Sequence, residues 1–167
     1  LGAEPLPKYR EPVWSPRGDR KVAQEYPLIL ITGSRFMPMY HSEQWQIEKA
    51  RAIVPDPLVT IHPETAAMHG LAEGDWAVIS TPKGSIRQRV KISDAVDQTM
   101  VDLQHSWWFP ERDAKLPELF GVFESNANIL CPDDPEFCSP EIGSWPHSAL
   151  MCRIEKEREA PGPEARQ

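Results

Sequence analysis

The sequence predicts a mainly β protein with short helices, closed into a barrel. Three observations carry this: short apolar runs through the middle of the chain, turn residues between them, and little helical periodicity. Closure follows because a ring of short strands leaves no exposed edge.

Residues 1–25 hold Pro5, Pro7, Pro12 and Pro16 among charged and small residues, which predicts an extended linker arm. "YPLILIT" (26–32) is almost continuously apolar, as in a strand buried on both faces. A helix is predicted over Glu43–Ala52, stopped by Pro55 and Pro57. "LVTIH" (58–62) reads as the next strand. "PETAAMHG" reads as a short helix, with Pro63 in its first turn and Gly70 just past its end. "DWAVISTPKGSIRQRVKI" predicts a hairpin turning at Pro82-Lys83-Gly84-Ser85. In its second strand Ile86, Gln88, Val90 and Ile92 share a face, while Arg87, Arg89 and Lys91 face water. "TMVDLQH" (99–105) and "ALMCRIE" (149–155) complete the strands. The barrel domain therefore spans 26–155, and the charged segment 156–167 is predicted to be a disordered tail. There is no internal repeat.

A net charge of −7 argues against nucleic-acid binding, which needs a basic face to displace counterions. Three cysteines do not make a disulfide framework, and their spacing admits only a Cys131–Cys138 bridge. No run is long and charge-free enough to span a membrane. The chain opens at Leu1 without a methionine, which predicts a piece of a longer protein.

After the first strand come Thr32-Gly33-Ser34-Arg35, then Tyr40 and His41. A glycine there lets backbone N–H groups approach a ligand, and Ser34 and Arg35 add a donor and a fixed charge suited to phosphate. The same residues also make an ordinary turn with a surface arginine. The repeated glycines of a Walker loop or dinucleotide fingerprint are missing. His41-Ser42-Glu43 opens like a zinc deaminase, yet "CPDDPEFC" spaces the cysteines too widely for one. The five histidines lack metal-ligand spacing, and no Gly-x-Ser-x-Gly elbow supports a serine hydrolase. In "QHSWWFPE", His105, Trp107 and Trp108 follow a strand directly. Such aromatics either lid a core or wall a heteroaromatic ring. Asn126 and Asn128 can read the edge of a base or pterin, or merely shape a turn.

Taken in order, "YPLILITGSR", "YHSE", "IHPETAAMHGLAEGDWAVISTPKGSIRQRVKISDAV", "HSWWFPE", "LFGVFESNANIL" and "MCRIEK" resemble the C-terminal cofactor-binding domain of the dimethyl-sulfoxide-reductase family of molybdenum and tungsten oxidoreductases. The "WWFPE" and "SNANIL" segments look most like the acetylene-hydratase, thiosulfate-reductase and formate-dehydrogenase-like branches. The resemblance implies a six-stranded double-psi β-barrel of the aspartate-decarboxylase-like kind. It implies contact with a molybdopterin guanine dinucleotide (one of the pair in a bis-MGD centre holding Mo or W) at Thr32, Gly33, Ser34, Arg35, His41, Ser42 and Glu43. His105 and Trp107 match a segment lining the cofactor. Asn128, with Asn126 beside it, matches the family's pterin-contacting Asn-x-Leu-Thr element, with Cys131 where threonine is usual.

No residue is assigned as a metal ligand or a catalytic group, and any iron–sulfur cluster would lie in other domains. The implied partners are the remaining domains of the same large subunit and an iron–sulfur electron-transfer subunit, with no direct membrane contact. The compartment stays open between prokaryotic cytoplasm and periplasm. The isolated chain is expected to be catalytically inactive. Three alternatives stand beside this: a free-standing small barrel subunit, a non-catalytic interaction module on the same barrel, and an autonomous enzyme, for which no nucleophile is evident.

Overall fold

A computed structural model describes residues 6, 8–140 and 143–157. Six strands form a closed barrel: β1 (Leu28–Ser34), β2 (Leu58–Ile61), β3 (Trp76–Ser80), β4 (Ser85–Ile92), β5 (Met100–Gln104) and β6 (Leu150–Lys156). Around the ring the order is β1-β5-β2-β4-β3-β6. The number of strands and the closure match the six-stranded barrel that the resemblance implies. The β1–β5 and β2–β4 pairs are parallel and the other four antiparallel.

Alternation along each strand fills the barrel. Leu30, Val59, Ile61, Ala77, Ile79, Val90, Val101, Leu103, Leu150 and Ile154 are all buried in one apolar cluster. Gln88 sits among them with no exposed surface, because its Nε2 donates to the carbonyls of Gln104 (2.9 Å) and Ser125 (3.0 Å). The inward polar position of β4 is therefore held through its amide nitrogen, while its Oε1 has no partner among the described residues. On its outer face Arg87 and Arg89 are half-buried over Trp76, at 4.7 and 4.9 Å from the ring centroid, instead of standing free in water.

Several boundaries differ from the sequence expectation. The hairpin turns over 81–84, closed by Thr81 N–H donating to Gly84 O at 2.9 Å, so Ser85 already pairs with Ser80. The helix expected over Glu43–Ala52 begins only at Glu48 and ends at Ile53 (α2, after α1 at Arg20–Glu25). Residues before it are held in tight turns: Glu43 N–H donates to Tyr40 O, and Gln44 has φ +74°. Burial of Trp45, whose Nε1 donates to Ser106 O, prevails over helical propensity there. The arm is extended only in part. Asp19 caps α1 through the N–H groups of Lys21 and Val22, and Trp14 O accepts from Met151 N–H at 2.7 Å. The barrel also runs past residue 155, since Ala77 pairs with Lys156 and Glu157 N–H donates to Trp76 O. The disorder expected for the tail concerns residues 158–167, which lie outside the described residues. No described helix is long and apolar enough to cross a membrane. The three cysteines are free, so Cys131 and Cys138 are not bridged. Burial pushes the Cys131 thiol up to about 11 and raises that of Cys152 further.

Helix α3 (Pro63–Met68) is the one the sequence predicts, with Gly70 beyond it at φ +62°. After β5 the chain forms short helical turns, including α4 (Val122–Ser125). Gly121, at φ +68°, leads into α4, and a Cβ there would lie 2.8 Å from the Phe109 ring. Gly121→Ala is expected to destabilise the protein by about 1–3 kcal/mol, read as a lower urea midpoint with unchanged slope.

A second apolar cluster lies outside the barrel: Met39, Trp45, Ala50, Val54, Trp107 and Phe109. Arg51 covers it, 4.5 Å from the Trp107 centroid, and pairs with Glu111 at 2.9 Å. This cluster fixes the segment between β1 and α2 against the segment after β5. That fixation positions the site.

Candidate functional site

Parallel pairing of β1 with β5 brings residues 32–35 beside 104–106 at one end of the barrel. Antiparallel pairing of β6 with β1, Leu30 opposite Leu150, brings 147–148 to the same end. These three segments, with His41 from the loop after β1, surround a cavity of about 260 Å3. Its lining is Thr32, Gly33, Arg35, His41, His105, His147 and Ser148. A larger cavity of about 530 Å3, between arm residues 8–13 and residues 136–139 and 144–148, adjoins it at His147 and Ser148.

A bulge sets the local geometry. Ile31 pairs with Asp102, but the next partners are Ser34 and Gln104, so β1 spends one extra residue on Thr32-Gly33. Ser34 Oγ then donates to Asp102 Oδ2 at 2.6 Å, and Ser34 O lies 3.2 Å from His105 Nδ1. Thr32 Oγ1 donates to His147 O, tying β1 to the start of β6. Gly33 is exposed, and a Cβ built on it meets nothing within 4 Å. This chain's own packing therefore does not require a glycine there.

His41 Nδ1 and His105 Nε2 lie 2.9 Å apart with their rings at 78°. Tyr40 packs edge-on against His41, and the Arg35 guanidinium lies 5.9 Å from the Tyr40 ring centroid. His41 and Ser106 have φ of +49° and +59°, left-handed values that cost a non-glycine residue on the order of 1 kcal/mol each. Such strain is typical of functional sites.

Burial penalises the charged form of His105 and holds it below the usual histidine range. The Ser34 carbonyl opposes this shift, while His41 and Arg35 add to it. Burial likewise raises the Asp102 carboxyl, against the Ser34 hydroxyl. The unfolded chain binds more protons at His105 than the folded one just below the ordinary histidine value. That stability is thus complete above the ordinary value and is lost as pH falls through the histidine range. Asp102 acts in the opposite sense at lower pH, its contribution fading as pH climbs through its raised value. The urea midpoint is expected to climb with pH across the histidine range, with a smaller slope in His105→Gln.

The structure gathers Thr32, Gly33, Arg35, His41 and His105 around one cavity, with Ser34 directly behind. It does not bring the other expected residues to it. Ser42 and Glu43 are exposed on the turn beyond His41, where Ser42 O accepts from Trp108 Nε1 at 2.7 Å. Trp107 has no exposed surface and stacks 4.2 Å from Trp45, so it lids the second core rather than walling the cavity. Asn126 shapes the turn: its Oδ1 accepts from Asn128 N–H at 3.0 Å and its Nδ2 donates to Trp107 O. Asn128 is exposed on the 3-10 turn Ala127–Leu130. That turn packs on the β3–β4 hairpin at the same barrel end, across the mouth from the histidines. His147 and Ser148 were not among the candidates. Only the β1–β6 register could have placed them beside Thr32. No described group of three or more His, Cys, Asp or Glu is arranged to hold a metal ion.

Residues 28–143 match the family model for the molydopterin dinucleotide binding domain. The chain is 33% identical over 144 residues to acetylene hydratase of Syntrophotalea acetylenica, covering 86% of this chain and 20% of that protein. It is 42% identical over 107 residues to dopamine dehydroxylase of Eggerthella lenta, covering 64% of this chain and 10% of that one. Among solved structures, acetylene hydratase from Pelobacter acetylenicus superposes with a TM-score of 0.83 at 31% identity, covering 93% of this chain and 22% of that chain. The chain thus spans a tenth to a fifth of the length of these two relatives.

Proposed function

We propose, from the premise that this chain belongs to the molydopterin dinucleotide binding domain family, that it forms half of a cradle for a molybdopterin guanine dinucleotide in a larger molybdenum or tungsten enzyme. The observation that carries the reading is the convergence of Gly33, Arg35, His41 and His105, from separate segments, on one concave surface.

The residues present fit part of such a group. Arg35 supplies a permanent cation for a pyrophosphate, and the bulge at Gly33 leaves backbone that a ligand can approach without meeting a side chain. His41 offers a ring nitrogen, and His147 and Ser148 offer further polar groups from the segment ahead of β6. A cavity of about 260 Å3 is below the size that encloses a whole drug-sized ligand, so it takes one portion of a long one. The adjoining larger cavity continues the concave surface. The rest of the cover would come from the other domains of the same subunit, and an iron–sulfur subunit would serve as electron partner. When bound, the cofactor supplies the redox or hydration chemistry of its metal. The side chains of this domain bind and orient, and the isolated chain is expected to be inactive.

In a full-length enzyme carrying this domain, Arg35→Ala is expected to lower metal and pterin content roughly fivefold, the equivalent of about 1 kcal/mol. Asn128→Ala, across the barrel mouth, tests the pterin contact drawn from the family motif and is expected to cost less. Metal and pterin analysis of the purified variants reads both. Full content in the two together would remove these residues from the cradle.

A further inference from the structure

The hydrogen bonds at the cavity fix more than position: they fix where hydrogens sit on two imidazoles. Ser34 O can only accept, so His105 Nδ1, at 3.2 Å, carries a hydrogen. A neutral imidazole has one N–H, which leaves His105 Nε2 as a lone pair. His41 Nδ1 stands 2.9 Å from that lone pair and must therefore carry its own ring's hydrogen. His41 Nε2 makes no hydrogen bond among the described residues, and it belongs to a ring lining the cavity.

We infer that His105 is a positioning residue that holds neutral His41 with its hydrogen on Nδ1, so that the pair takes up a single proton and takes it at His41 Nε2. An unconstrained histidine favours the other tautomer, so this arrangement is imposed by the neighbour. The added hydrogen appears on Nε2 whichever ring the shared inner hydrogen sits closer to. In one form His41 carries both hydrogens and His105 stays neutral. In the other the inner hydrogen has moved to His105 Nε2, and His41 keeps only the new one. A second proton would set N–H against N–H at 2.9 Å, which the geometry opposes. Burial of His105 keeps the charge on the His41 side.

The charged and titratable groups around the pair come from every neighbouring segment. They are Arg35 and Tyr40 from the loop after β1, His147 ahead of β6, and Asp102 on β5 behind Ser34. The cavity therefore switches between one fixed cation with an acceptor nitrogen and two cations with an added N–H donor. A ligand presenting an acceptor oxygen, whether of a phosphate or of a ring carbonyl, would draw that proton onto His41. The bearing of this on a cofactor rests on the reading proposed above, whereas its test does not.

Long-range proton–nitrogen correlation spectra of the isotope-labelled chain, taken across the histidine pH range, read the tautomer of each assigned ring. Above that range both His41 and His105 are expected to carry hydrogen on Nδ1. Below it, one proton is expected to appear on His41 Nε2 while His105 Nδ1 keeps its hydrogen. Hydrogen on His41 Nε2 above that range, while the pair is unprotonated, or two protons entering the pair over one pH interval, would overturn the inference. His105→Asn keeps an amide donor for Ser34 O and removes the ring acceptor. His41 is then expected to revert mainly to Nε2–H, and retention of Nδ1–H would also overturn the inference. If that variant does not fold, the wild-type spectra decide alone.

Discussion

Replacing Trp107 with alanine is expected to cost about 3–5 kcal/mol of stability and to loosen the cavity at the same time. The side chain is wholly buried in the outer cluster, stacked on Trp45 and edge-on to Phe109, with the Arg51 guanidinium above it. Its removal leaves a void that the fixed β5 backbone cannot fill, and it strips Arg51 of its ring. Trp107 Nε1 is buried without a partner among the described residues, so Trp107→Phe forfeits volume but no hydrogen bond. That change is expected to cost roughly half as much. Urea unfolding of the three proteins checks this, and a loss under about 1 kcal/mol for the alanine variant would show that the cluster does not hold the loop. The effect on the cavity follows from adjacency. Trp45 Nε1 donates to Ser106 O, between His105 and Trp107, so displacing Trp45 releases the backbone that carries His105.

Gly33→Leu is expected to do the reverse, leaving the barrel intact and emptying the cradle. The position is exposed, its φ lies outside the left-handed region, and a Cβ has open space around it. Stability of the chain alone is expected to change by less than about 0.5 kcal/mol. In a full-length enzyme the added side chain would stand where the ligand approaches. Overpacking of that size costs about 1–3 kcal/mol, enough to reduce bound pterin and metal about fivefold or more. Full cofactor content in a well-folded Gly33→Leu enzyme would rule out close approach at the bulge. Together with Trp107→Ala, this variant separates residues that build the site from those that face a ligand.

Much of the barrel was legible because alternation and turn chemistry act locally. Residues 26–32, 58–62 and 149–155 announce buried strands, and Pro63 with Gly70 bracket α3. The segment at 43–47 was not legible, because its conformation is set by where Trp45 is buried, outside the barrel and against residues about sixty positions later. Trp107 shows the same limit. Its composition suits a ligand wall or a core lid equally, and only packing selects the lid. At the site, the types of residue in 32–35, 41 and 105 were informative. The bulge that exposes Gly33, the His41–His105 hydrogen bond and the presence of His147 depend on pairing register, which one sequence does not reveal. Asn128 lies across the mouth because its turn packs on the β3–β4 hairpin rather than beside β1.

The ring of strands has a consequence in time. Its candidate recognition surface is stitched from stretches about seventy and forty residues apart, joined by pairings that loop-closure entropy makes late events. A nascent or half-zipped chain offers the 32–41 stretch alone, without His105, His147 and Ser148 to complete the cavity. On the proposed reading, loading would wait for a finished fold, and a costly, fragile prosthetic group would be committed only to a polypeptide that has closed its barrel.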